Sequence, residues 1–209
     1  MTGILLNFRN CMILSFVLAL IMIFAFSQAG GEGFGTLFWQ ATFRWAHVVF
    51  GILWIGLLYY FNFVQIRKTP DMPAELRPAI SKYIAPEALF WFRWSALLTV
   101  LAGLCVAALH GATYMQKVFT FGLAGEPTAG DRGYALMGIG VYLAFIMFLN
   151  VWGVIWRNQK IVLGIKPADD DARARAARIA TLASRINTLL SLPMLTSMVM
   201  YQTLFGTSI

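Results

Sequence analysis

Apolar residues run along this chain in five long stretches separated by four polar connections. The stretches are Cys11 to Ala29, Phe38 to Ile66, Leu89 to His110, Tyr134 to Trp156 and Ile186 to Phe205. Each approximates the roughly 20 apolar residues that a helix needs to cross a bilayer core about 30 Å thick. The pattern predicts an all-α fold, an integral membrane bundle of five transmembrane helices forming one domain over residues 1–209. The first stretch, with Arg9 ahead of it and Ser27-Gln28-Ala29 at its end, also has the layout of a signal peptide. It is counted here as a retained helix.

The connections carry their own patterns. Between Pro70 and Pro86, Leu76, Ile80 and Tyr83 fall at helical spacing, which predicts a short helix lying on the membrane interface. Asp169, Asp170 and Asp171 precede an Ala/Arg run, a good helix start with its N-terminal dipole satisfied. The fifth helix is therefore expected to begin outside the lipid and run unbroken into it, with a kink near Pro193. No internal repeat or low-complexity segment is present.

Composition strengthens this picture. Hydrophobic residues make up 59% of the chain and charged residues 12%, against about 25% charged in a soluble domain. The net charge of +7 does not indicate nucleic-acid binding, because the basic residues cluster in the connections. Twelve of them lie in the N-terminal stub and the second and fourth connections; only Lys117 and Arg132 lie on the opposite side. The positive-inside rule then puts the N-terminus in the cytoplasm and the C-terminus outside, in a multi-pass arrangement suited to a bacterial inner membrane. Cys11 and Cys105 cannot form a disulfide framework or a zinc site, and there is no CxxCH for a covalent haem.

Candidate chemistry is confined to a few positions. All nine acidic residues lie in the connections, so no span carries the carboxylates that proton pumps and exchangers commonly use. The ionisable groups left in or at the ends of the spans are Arg44, His47, Arg93 and His110. His47 lies 20 residues before Arg67, and His110 lies 23 residues after Glu87. At 1.5 Å per residue both imidazoles are expected roughly 30 Å from the cytoplasmic face. Two histidines at one depth on neighbouring helices suit the axial ligation of one haem. Gly51, a turn from His47, would let a flat macrocycle approach, Trp54 would line it, and Arg44 would pair with a propionate.

Plainer readings stand beside these. His110 at a helix end is also an ordinary interfacial residue, and Arg93 an ordinary snorkelling one. Gly51, Gly56 and Gly103 also serve close helix packing. In the inner half, Asn150, Asn158, Gln159, Arg185, Asn187, Thr188 and Ser191 form a second polar set. Polar side chains in lipid seek partners across helices, so a hydrogen-bond network joining the fourth and fifth spans is expected there rather than a second binding site.

The run Trp45-Ala46-His47-Val48-Val49-Phe50-Gly51-Ile52-Leu53-Trp54-Ile55-Gly56, followed by Tyr59 to Gln65, resembles the urate oxidase N-terminal membrane-domain family. This is the membrane part of the bacterial cytochrome c-linked urate hydroxylase. Asn150 to Lys160 and Ser184 to Met194 are similar to its later motifs. The resemblance is to a short form, since full-length members carry a cytochrome c domain. It implies a b-haem redox protein, with His47 and His110 as iron ligands, that passes electrons near the outer face to a partner such as a cytochrome c. The alternative is a non-catalytic accessory subunit of a larger respiratory or other membrane complex, which needs neither histidine.

Overall fold

The computed structural model describes residues 2–31, 33–125 and 131–205, and these residues form helices joined by short turns. After a helical turn at Thr2–Leu6 come α1 (Phe8–Ala29), α2 (Thr36–Asp71) and α3 (Arg77–Leu109). The short α4 (Ala112–Phe119), then α5 (Asp131–Val162) and α6 (Asp170–Leu204) complete the chain.

Four of these helices, α1, α2, α3 and α5, are long and apolar enough to cross a membrane, so this is a multi-pass membrane protein in a lipid environment. α6 is 35 residues long, about 52 Å at 1.5 Å per residue, but it does not reach the apolarity of the other four. The reason is the face it turns inward. Ala176, Ala180, Ala183, Ser184, Asn187, Ser191 and Ser197 are all buried, while Leu189, Leu192 and Val199 are exposed. Polar and small residues inside with large apolar ones outside is the amphipathic arrangement of a membrane bundle, where helices associate through small residues and hydrogen bonds.

The most extensive packing is between α5 and α6, and next between α2 and α3. Trp54, Leu58, Phe61, Phe92, Met147, Val151 and Met194 meet in the main core. α1 has no buried residue and rests on α2 through contacts such as Phe16 on Trp45, with ring centres 5.3 Å apart.

The expected network between α5 and α6 is present through Asn150 and Asn187, while Asn158 and Thr188 bond carbonyls of their own helices. Asn150 Nδ2 donates to Asn187 Oδ1 at 2.7 Å and to Ala183 O at 2.8 Å, and Asn187 Nδ2 donates to Met147 O at 3.1 Å. Ser191 turns elsewhere: its hydroxyl meets Tyr59 of α2 at 3.0 Å. The start of α6 also follows expectation, with Asp169 accepting from the Ala172 N–H as N-cap.

The separate interfacial helix expected before the third span is not found. Arg77 to Ile84 is continuous with α3. Pro86 has no N–H to donate, yet the helix passes through it by way of a wider π turn over Ile80–Ile84, in which the Ala85 N–H reaches back to Ile80 O. Two further π turns occur, Tyr60–Gln65 in α2 and Asn150–Ile155 in α5.

Candidate functional site at the His47 end of the bundle

α2 and α3 are antiparallel, and their register is set near the ends. Gln40 of α2 donates to Leu109 O of α3 at 2.9 Å. Seven residues further along α2, the His47 ring is half-buried and its Nδ1 lies 2.8 Å from Thr99 O. A carbonyl oxygen can only accept, so Nδ1 carries the proton and, in the neutral ring, Nε2 keeps the free lone pair. The ring lies directly on Gly103: a Cβ there would come within 2.9 Å of two imidazole atoms. Glycine at 103 is what permits this seat.

The other expected site residues are placed differently. Gly51 faces Thr99, where a Cβ would make only ordinary contact at 3.7 Å. Trp54 is 1% exposed, packed in the main core, and its indole Nε1 has no hydrogen-bond partner among the described residues. Arg44 is exposed at the same end as Gln40, and Arg93 stacks its guanidinium 3.8 Å above the Trp156 ring at the opposite end. His110 is exposed at the C-terminus of α3. Its Nδ1 meets Val106 O of its own helix at 2.8 Å, and its ring lies 4.8 Å from that of Tyr114.

His47 and His110 are therefore not at one level. His47 sits on Gly103, seven residues before His110, which is about 10 Å along the helix axis. The equal-depth expectation took the third span to start near Glu87, whereas the helix begins at Arg77. With His47 in contact with the α3 backbone, no macrocycle fits between the two helices at that point. A haem clamped between His47 and His110 is not the arrangement found.

A group of residues not singled out from the sequence gathers around Arg44. Tyr114 of α4 hydrogen-bonds Tyr201 of α6, and its ring packs edge-on against Tyr134 of α5 with centres 5.7 Å apart. Burial first, and then the bond to Tyr201, push the Tyr114 phenol well above its ordinary value; the Arg44 charge opposes this without reversing it. The phenol stays neutral and remains a donor. Lys117, buried despite its charge, pairs with Asp131 at 3.0 Å. α4 reaches this position because Gly111 adopts a φ of 98° and because a Cβ on Gly138 would strike Val118 O. The sequence signal available was tyrosine at one end of three different elements, which an interfacial aromatic belt also produces.

Compared with protein-family models, curated proteins and solved structures, the chain matches none.

Proposed function

We propose that the chain is a membrane-embedded redox protein that holds b-haem through His47 alone, of the type the urate hydroxylase membrane domain represents. The observation that carries this reading is the Nδ1–H bond from His47 to Thr99 O at 2.8 Å. Metal-ligating histidines almost always donate their other ring nitrogen in this way, which sets the tautomer and steadies the ring. The seat of His47 on Gly103, a turn and more away from His110, supports a mono-histidine site. When bound, the haem supplies one-electron chemistry at its iron.

The chain's own residues do the rest. Thr99 O and the Gly103 backbone orient the imidazole so that Nε2 is the coordinating atom. Arg44 offers a positive charge to a propionate. His110, exposed and two turns beyond, belongs to the surface that meets a separate acceptor such as a cytochrome c. In this reading the second half of α6 is a fifth span. The twelve-to-two distribution of basic residues supports an N-terminus in the cytoplasm of a bacterial inner membrane, with the His47 end of the bundle outward.

The test is the absorption spectrum of the purified chain, oxidised and reduced, with haem supplied during expression. A high-spin spectrum is expected, lost in His47→Ala and retained in His110→Ala. Arg44→Ala keeps the haem at a lowered reduction potential, because removing a nearby positive charge favours the oxidised iron. Haem content unchanged in His47→Ala sinks the proposal. A colourless wild-type chain favours the accessory-subunit reading, to which the unburied α1 also lends itself as a face for another subunit.

A further inference from the structure

At the opposite end of the bundle from His47, a cavity of about 170 Å³ opens among α2, α3, α5 and α6. All three π turns of the chain's described residues contribute to its wall: Gln65 from the first, Ser81 from the second and Ile155 from the third. A π turn is rare, costs hydrogen-bond geometry and is found frequently at functional sites. Three of them converging on one cavity, from three different helices, is not a packing necessity of any one helix.

The wall has a definite chemistry. Gln65, Ser81, Gln159, Thr181 and Ser184 present polar groups from four helices, and Phe92 and Ile155 supply apolar surface between them. No Asp, Glu, Lys or Arg lines it. The buried Gln65 Oε1 has no hydrogen-bond partner among the described residues. Behind the wall, Asn62 Nδ2 donates to Leu58 O at 2.9 Å and Ser184 Oγ at 2.8 Å. That bond occupies one lone pair of the Ser184 oxygen and leaves its proton to be given inward. A buried acceptor without a partner is costly, so Gln65 gains from a ligand that donates to it.

From this we infer that the cavity binds a neutral, single-ring ligand carrying hydroxyl groups, a phenol or hydroquinone ring. Neutrality follows from the uncharged wall. Size follows from volume, since a cavity of roughly 150 Å³ admits one benzene ring. The need for hydroxyl groups follows from the unpartnered Gln65 oxygen, which can only accept, and Phe92 in the wall offers a face to the ring. The inference concerns binding and does not rest on the haem at the other end. Such a ring arrives either as the head of a lipid-borne carrier or as a soluble phenolic compound.

The experiment is calorimetric titration of the full chain in detergent micelles with dimethyl-p-hydroquinone and with its decyl-tailed derivative, against protein-free micelles. Saturable one-to-one binding is expected, weakened about tenfold in Gln65→Leu, the worth of one buried hydrogen bond. It is abolished in Ala177→Phe, which fills the cavity from α6. Thr181→Val, nearly isosteric, serves as a second reading where Gln65→Leu does not fold, as judged by circular dichroism. Comparable binding of both probes assigns a soluble ligand, and binding of the tailed probe alone assigns a lipid carrier. No saturable binding to the wild type, or equal affinity in wild type and both cavity variants, overturns the inference.

Discussion

His47 has two ring nitrogens, and the fold has already assigned one of them. Because Thr99 O takes the Nδ1 proton, whatever chemistry the residue performs passes through Nε2. That assignment depends on Gly103. Gly103→Ala puts a methyl group within 2.9 Å of the ring and is expected to displace the imidazole and break its bond. The cost is about 1–3 kcal/mol of overpacking, read as a lower thermal midpoint together with loss of the Nδ1–H signature in the imidazole ¹⁵N shifts. An unchanged midpoint and unchanged shifts count against the contact. At Tyr114 the raised pKa gives a pH prediction. The folded phenol holds its proton above the range where an unfolded tyrosine loses it, about pH 10. The unfolded state then binds fewer protons, so stability falls as pH rises beyond that value. Tyr114→Phe should flatten this alkaline loss in a pH-dependent unfolding series; an identical slope in both proteins would remove Tyr114 as its source.

At the scale of elements, α5 and α6 are joined by the amides of Asn150 and Asn187. Hydrogen bonds between membrane helices average about 0.6 kcal/mol, so Asn150→Leu or Asn187→Leu alone is expected to be mild. Because the two amides share one bond, the double variant should cost less than the sum of the single ones. Strictly additive thermal or refolding data would mean the contact carries no energy of its own. Ser191 shows how such a set divides. It shares the inward face of α6 with Asn187 but bonds Tyr59 of α2, a choice made by which helix lies opposite. The same inward face includes Ser184, which belongs to the cavity wall. The inner polar residues are therefore both glue and binding surface.

For the whole molecule, orientation is the claim most open to direct measurement. With the basic second and fourth connections in the cytoplasm, a cysteine introduced at Leu123, which is 85% exposed, should react with a membrane-impermeant reagent added outside intact cells. One introduced at Asp170, at the start of α6, should react only after lysis. The reverse pattern would invert the proposed arrangement, and labelling of both from outside would mean that α5, which lies between them, does not cross.

Hydrophobic runs and charge placement depend only on local composition, because a bilayer imposes one length and one polarity requirement on every segment that crosses it. For that reason the all-helical membrane class, four of the expected spans and the Asp169 start of α6 were readable residue by residue. The Asn150–Asn187 pairing was readable too, since a polar group in lipid has few places to go. Relative depth was not. It is a sum over a whole helix, and because α3 begins at Arg77 and not near Glu87, a count from Glu87 did not fix the depth of His110. Nor was the seat of His47 on Gly103, the gathering of Tyr114, Tyr134 and Tyr201 near Arg44, or the meeting of three π turns around one cavity. Each joins residues from separate helices, and no local pattern records which helix stands opposite which; that choice belongs to side-chain packing across the bundle.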